Sequence, residues 1–541
     1  MPIAFVLSKH RIQPRLTWLL LLATLGGSPA LADDSASVTP ISISVAEFAK
    51  DPAKVASLKK AFTQLRANSS AKTTSATYRT SFDYWANTHG YFGNGKHATN
   101  LKAYIAYRMP GCLQALDKAT CDHYYAHMQN TPVPKDGFTD DVWGTCQHGN
   151  LNFLPWHRMY LHFYSRTLRK LSGDPNLALP YWNYYQETNP ALKGLALPVL
   201  VRGTAAGTLY DEFRTIGLND NTSAIDPDDA SAAQAFDYND FIHFSNTLQG
   251  QPHGVMHCAV GTGCATPDLG FVPIAGLDPV FYMHHANIDR LWQCWLNRKA
   301  KGATIDLAWA KANLGMPDSW YNTRYTFADE NGDKATMTIA DVFTPGVITT
   351  HYDVENNCDT TMAAATEKAR PRLKAAPAPL KAHAPLSSGK PVALRGKSET
   401  VVPLAPQTGI ELLAMPAPES AQPGQTFLLL ENVQIVGSPA LTYKIYLANK
   451  DKPEQSVYIA TFNLFGAGHE HGDHHGGGTL DDLMWDVTEE IRQLGVKSAE
   501  ALAVRFVASD QAFGKLEAAG SDQDGVTIGN IRLETMAGAK Q

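Results

Sequence analysis

The residues that could do chemistry here are histidines, and their spacing says more than their number. His253-Gly-Val-Met-His257 is an H-x3-H pair. On a helix, residues four apart share one face, so both imidazoles can reach a single metal ion. A zinc protease of the H-E-x-x-H type needs a Glu after the first His as its general base. Gly254 stands there instead, which removes that mechanism. Further on, LDPVFYMHHANIDRLW places His284 and His285 side by side, with Asp289 four residues after His285. A carboxylate at that offset can orient a ligand or its neighbours from behind. Upstream, CQHGNLNFLPWHR carries Cys146, His148 and His157. Pro155 and the amphipathic run after it predict that His157 opens a helix, with His148 in the preceding loop.

These residues need long helices to hold them. Segments 158–171 and 287–300 carry apolar residues at three- and four-residue spacing, while parallel βαβ alternation is missing. With 541 residues the chain is too long for one ordinary domain, so two folded units are expected. Hydrophobic residues make up 44% and charged residues 18%, which places the chain among globular proteins and not disordered ones. A net charge of −6 gives no basis for nucleic-acid binding, which needs concentrated Lys and Arg.

The first residues read as a targeting segment. Lys9, Arg11 and Arg15 precede the apolar run 16–25, and Ala30-Leu31-Ala32 supplies an A-x-A end. Residues 1–32 are therefore expected to be a cleavable signal for export to the periplasm or beyond the cell. The run is shorter than the roughly 20 residues that span a membrane, so no membrane association is expected after cleavage. Export permits disulfides. Of seven cysteines, Cys112 with Cys121 and Cys258 with Cys264 are near enough in sequence to close small loops, and Cys294 with Cys358 would form a third pair. Six cysteines allow 15 arrangements, so this pairing is one choice among many. Cys146 is then left over.

Residues 363–406 are rich in Ala, Pro and Lys and read as a linker. Beyond it, 426–431, 442–447 and 457–464 are strand candidates bounded by turn residues, as in a small β-sandwich, and 479–495 is an amphipathic helix candidate. The expected plan is a helical domain over 33–362, the linker 363–406, and a β-domain over 407–541.

The motifs taken together resemble one family. FLPWHR with a His nine residues before His157 is similar to the first copper half-site of tyrosinases, polyphenol oxidases and haemocyanins; PHGVMH and DPVFYMHHANIDRLW resemble the second. The resemblance implies a mainly α catalytic domain, a four-helix-bundle core around two coppers, followed by a C-terminal β-sandwich that covers the site. It implies His253, His257 and His285 at copper B, with His285 preferred to His284 because the family ligand lies four before the Asp. It implies His148 and His157 at copper A. The segment SFDYWANTHG is similar to that around the family's first copper A ligand, which selects His89. The 59 residues from His89 to His148 are more than the family usually has, so 91–142 reads as an insertion and His127 stays open as the alternative. Gln249, Gly254, Phe281, His284 and Asp289 are expected around the ligands. In fungal members a Cys at the offset of Cys146 is bonded to the His through a thioether, which the resemblance implies for Cys146 and His148.

Together with the export segment, the resemblance implies an exported enzyme that uses two copper ions and O₂ to oxidise small phenolic substrates. Its partners would be an activating protease or a copper chaperone. In the family, a Glu four residues before the first copper B ligand and an Asn just after it are credited with helping monophenols. Gln249 and Gly254 replace them, so o-diphenol oxidation is favoured. Gln binds water but carries no negative charge. The C-terminal domain is expected to keep the enzyme latent, with the linker as the cleavage site. Phe465 would plug the pocket, and the His469–His475 loop would capture copper transiently. A haemocyanin-like O₂ carrier would use the same six ligands; the export segment and the two-domain plan favour an enzyme.

Overall fold

A computed structural model describes residues 39–90, 134, 136–261, 268–270, 272–356, 358, 360, 385–395, 399–406, 425–436, 442–463, 479–480, 483–496, 501–508 and 525–535. The part of the insertion over 91–133, with Cys112, Cys121 and His127, the signal segment, Cys264, Phe465 and the His469–His475 loop lie outside these.

The site-bearing part is helical. Helix α1 (Pro52–Asn68) starts with Pro at its first position and Asp51 accepting from the Ala53 and Lys54 amides. Helix α2 (Phe82–His89) is capped by Ser81 and ends on His89. Helix α3 runs Phe153–Ser172 and stops at Gly173, whose left-handed backbone (φ 72°) suits glycine. It begins before His157, not at it. Pro155 lies in the first turn, where no amide hydrogen bond is needed, so the proline does not delay the start. Helix α6 (Val280–Ala300) carries His284, His285 and Asp289.

Aromatic residues lock these helices together. Trp156, Tyr160 and Tyr164 recur every four residues along α3. Tyr160 stacks on Trp156 at 5.2 Å, and Tyr164 on Tyr282 of α6 at 3.9 Å. The Tyr160 hydroxyl donates to the Trp85 carbonyl of α2 at 2.7 Å. A buried ion pair adds to this packing: Arg158 Nε meets Asp289 Oδ1 at 2.5 Å, and the Tyr352 hydroxyl donates to Asp289 Oδ2 at 2.6 Å. Asp289 thus orients the neighbour of His157 and ties α3 to α6. The Cys294–Cys358 disulfide closes the far end of α6.

Between α4 (Phe241–Leu248) and α5 (Val255–Val260) the helix is interrupted by a wider turn over residues 249–254. Pro252 excludes the helical conformation from the residue before it, and Gln251 is extended at φ −137°, ψ 128°. The pair His253/His257 therefore straddles this turn and α5, and does not sit on one uninterrupted helix.

The C-terminal part is a β-sandwich of two antiparallel sheets. Its strands are β1 (Leu386–Ser387), β2 (Val392–Leu394), β3 (Thr400–Pro403), β4 (Ala405–Pro406), β5 (Thr426–Val436), β6 (Tyr443–Asn449), β7 (Lys452–Phe462), β8 (Thr479–Leu480), β9 (Leu483–Asp486), β10 (Leu502–Ala508) and β11 (Gly525–Thr535). One sheet has the order β4-β1-β11-β5-β8, with β9 also on β5 and β2 on β11; the other is β7-β6-β10-β3. Two expectations need correcting. Residues 385–395 and 399–406 are not linker: Leu386, Val392, Leu394, Val402 and Leu404 are buried in the sandwich core, an apolar content that outweighs the surrounding Pro and Lys. The segment 479–495 is helical only over Thr488–Leu494, because Leu483–Asp486 pairs with Leu430–Phe427 of β5.

The continuous apolar run of β5 has a structural cause. Leu428, Leu430 and Val433 face the sandwich core, while Phe427 and Leu429 join the core of the helical part. A strand buried on both faces loses the alternation of a half-exposed one. The described residues accordingly fall within one compact unit.

Candidate metal centre

Two groups of side chains converge at the heart of the helical part. His89, Cys146, His148 and His157 form one, and His253, His257, His284 and His285 the other; within each group the potential ligand atoms lie within 4.8 Å of one another. The groups face each other: ring centroids are 4.5 Å apart for His157 and His285, 5.7 Å for His89 and His285, and 5.9 Å for His148 and His253. His89 ends α2, His148 lies in the loop before α3, His157 sits on α3, His253 and His257 flank the start of α5, and His284 and His285 sit on α6. All residues expected from sequence as ligands are thus brought together, His89 included.

Backbone carbonyls orient the rings. The Nδ1 atoms of His89, His157, His253 and His257 lie 3.1, 2.8, 2.9 and 2.7 Å from the carbonyl oxygens of Val272, Phe153, Gln249 and Leu269. A proton on Nδ1 donated to a carbonyl leaves the Nε2 lone pair for a metal. His257 Nε2 and His285 Nε2 approach to 3.2 Å, so they aim at a common point. His89 Nε2 is buried with no hydrogen-bond partner among the described residues. Burial, reinforced by neighbouring imidazoles, lowers the pKa of His89 to about 3; burial alone lowers that of His253 to about 3, and His157, His257, His284 and His285 go the same way. All are neutral donors at physiological pH. Neutral imidazoles in two convergent sets, with no carboxylate among them, fit copper better than calcium, magnesium or manganese.

The surroundings divide by role. Phe281 packs against His89 and His285 at 4.6 and 4.3 Å, and Phe153 against His157 and His253 at 4.5 Å each, so the centre has apolar walls. The Tyr184 hydroxyl is 2.7 Å from His284 Nδ1, a partner the sequence motifs do not reveal. The His284 ring packs on His253 and His257 of the second group, whereas His285 also stacks on His157 of the first. Gln249 Oε1 accepts the Gly149 amide at 2.8 Å and so holds the His148 loop. Cys146 Sγ is 3.6 Å from His148 Nδ1 and 3.7 Å from His157 Nε2, and the residue forms no disulfide. His162 is buried away from both groups, as expected of a core residue.

The C-terminal sandwich reaches this centre. The end of β7 lies over residues 249–254: the Asn463 amide donates to the Gly250 carbonyl at 2.7 Å, and the Thr461 amide donates to Gln251 Oε1 at 2.8 Å. A Cβ on Gly254 would collide with Asn463 Oδ1. Nothing short of the fold could have joined Asn463 to Gly254, because they lie on different domains.

Helices presenting two facing sets of imidazoles, closed by a β-sandwich, define a protein that could hold a pair of metal ions. The model for the common central domain of tyrosinase matches residues 79–204 and 206–298, and a domain of unknown function (DUF7868) matches 387–533. Residues 79–298 thus carry the common central domain of tyrosinase, followed by a separate C-terminal domain. A tyrosinase of Hahella sp. (strain CCB-MM4) is 27% identical over 376 residues, 63% of this chain and 74% of that one. The latent form of the chloroplastic polyphenol oxidase of Prunus armeniaca is 30% identical over 251 residues, 40% of this chain and 39% of its own length. The structures of latent apple tyrosinase and of a latent aurone synthase share the fold, with TM-scores of 0.53 and 0.55 at 19% identity; each covers 92% of this chain, and the chain covers 96% and 90% of them.

Proposed function

We propose that the protein is an exported copper oxidoreductase that uses O₂ to oxidise o-diphenols to o-quinones. The observation that carries this is the pair of facing imidazole sets with four Nδ1 atoms tied to carbonyls. His89, His148 and His157 hold copper A; His253, His257 and His285 hold copper B. Copper held by these residues would supply the redox chemistry that couples diol oxidation to O₂. The chain keeps the imidazoles neutral, fixes their tautomers and excludes water with Phe153 and Phe281. A substrate enters from the side of residues 249–254. Gln249 is engaged by the Gly149 amide and carries no charge, which favours catechols, whose hydroxyls ionise more readily, over monophenols.

In the intact chain β7 sits on that entrance, so the resting enzyme is latent and proteolysis between residues 363 and 384 opens it. The Asn463 contact beside His253 supports this reading. With copper and O₂ supplied, Cys146 and His148 would form a thioether: an S–C bond to the ring replaces the S–H and a ring C–H, and O₂ takes the two electrons and two protons, consistent with their proximity. The test is oxygen uptake with matched catechol and phenol substrates before and after linker cleavage. Slow uptake that rises on cleavage, with catechol ahead of phenol, is expected. Equal rates for both substrates would defeat the diphenol preference; reversible O₂ binding without catechol turnover would make the protein a carrier.

A further inference from the structure

Two of the carbonyls that orient the imidazoles come from one short segment. Leu269 O holds His257 and Val272 O holds His89, so a single stretch of chain serves one ring in each group. The segment consists of two 3₁₀ turns, Asp268–Gly270 and Val272–Leu277. It presses on both ligand-bearing helices through glycines. Gly270 meets Gly261 at the end of α5 backbone to backbone, and a Cβ on Gly276 would come within 2.8 Å of Ala86 Cα in α2. Neither contact tolerates a side chain without a shift of the backbone.

A buried polar cluster sits behind this segment. Arg214 forms a two-pronged pair with Asp278, Nε to Oδ2 and Nη2 to Oδ1, both at 2.7 Å. Its Nη1 donates to the Val201 carbonyl at 2.7 Å and to Asn219 Oδ1 at 2.9 Å. Asp278 Oδ1 also accepts the Val280 amide at 2.9 Å, which fixes the start of α6 and thus His285. Thr215, beside Arg214, donates from its amide to Val260 O at 2.7 Å and from its hydroxyl to Ala259 O at 2.9 Å, gripping the end of α5. The carboxyls of Asp211 and Asp268 hydrogen-bond each other. Two facing carboxyls in a buried place cannot both be ionised, so they share a proton. Burial, with Asp268 and Asp278 beside it, raises Asp211; burial and Asp278 raise Asp268 to about 7 against the hydrogen bond from Asp211.

We propose that Asp268, held by Asp211 in front of the Arg214–Asp278 pair, is a positioning residue for both halves of the centre. It locks the 268–278 segment so that the Leu269 and Val272 carbonyls keep His257 and His89 in the metal-binding tautomer. The inference rests on the reading that the imidazole groups hold copper. Its distinguishing consequence is that one change, at a residue that is not itself a ligand, weakens both metal positions together.

The test uses the full chain with Asp268→Ala and Asp268→Asn, titrated with copper against a competing chelator, alongside histidine ¹⁵N NMR of the metal-free proteins. Asn still donates a hydrogen bond to Asp211; Ala does not. Removing such outer partners costs about 10- to 100-fold in metal affinity. Asp268→Ala is expected to lose that much at both positions and to lose the uniform Nδ1–H tautomer at His89 and His257, while Asp268→Asn stays within about threefold of the parent. Should Asp268→Ala fail to fold, Asp211→Ala is expected to give the same paired loss. A folded Ala variant with unchanged affinities, or with a loss at one position only, overturns the proposal. If the parent chain itself fails to take up two coppers, the underlying reading fails instead, and the inference with it.

Discussion

Asp229 puts a pH-dependent element into the contact between the two domains. It is buried at the foot of β6 and β7, where Thr461 donates to its Oδ1 at 3.2 Å. Burial raises its pKa from 3.8 to about 7, opposed by Lys444 and aided by Asp226 and Asp228. Lys444, which faces it, stays charged because neighbouring carboxylates raise its pKa against burial, and burial holds the Tyr458 hydroxyl neutral. When the domains part and Asp229 meets water, its pKa returns to the ordinary value. Below pH 4 both states are protonated and the group contributes nothing. Between pH 4 and 7 the open state sheds its proton and the closed state does not, so closure weakens as pH rises; above 7 the loss is complete. A shift of about 3 units corresponds to about 4 kcal/mol in full, of which about 2 to 3 kcal/mol falls between pH 5 and pH 8. Hydrogen exchange of the 452–462 strand, compared at equal pH between the parent and Asp229→Asn, reads this directly. The opening free energy of the parent is expected to fall relative to the variant by that amount from pH 5 to pH 8. A difference between the two proteins that stays constant with pH refutes the reasoning.

Other outcomes rest on the same geometry. Gly254→Asn places a side chain where Asn463 sits, so the intact variant is expected to oxidise catechol at a rate approaching that of the cleaved parent; an intact variant as slow as the intact parent would show that Asn463 is not the closing contact. Asp289→Ala leaves Arg158 buried without its carboxylate and is expected to cost about 3 to 5 kcal/mol in urea unfolding, against under 1 kcal/mol for an exposed pair such as Lys50–Glu47. Mass spectrometry of the copper-loaded, denatured chain is expected to find the peptide with Cys146 and His148 two hydrogens lighter and unreactive to thiol reagents; a free thiol there argues against the thioether.

The sequence showed the chemistry of the centre well and its scaffolding poorly. His148, His157, His253, His257 and His285 were legible because each sits within a short motif whose spacing matches a helix or its edge. His89 needed the resemblance, since it meets the others across a long stretch of chain. The interruption at 249–254 was written in Pro252, yet the H-x3-H spacing alone suggested an unbroken helix. What no local pattern could reveal were partners distant in the chain: Val272 for His89, 183 residues away, Tyr184 for His284, 100 away, and Asn463 over Gly254. Composition also misjudged residues 385–395 and 399–406, where Leu and Val at buried positions outweigh the Pro and Lys between them.

The central claim is that two metal ions sit between the imidazole sets. Diffraction from copper-loaded crystals at the copper absorption edge tests it most directly. Two anomalous peaks are expected, one about 2 Å from the Nε2 atoms of His89, His148 and His157, the other equally near those of His253, His257 and His285. A single peak, or density centred on His284 in place of His285, would contradict the account.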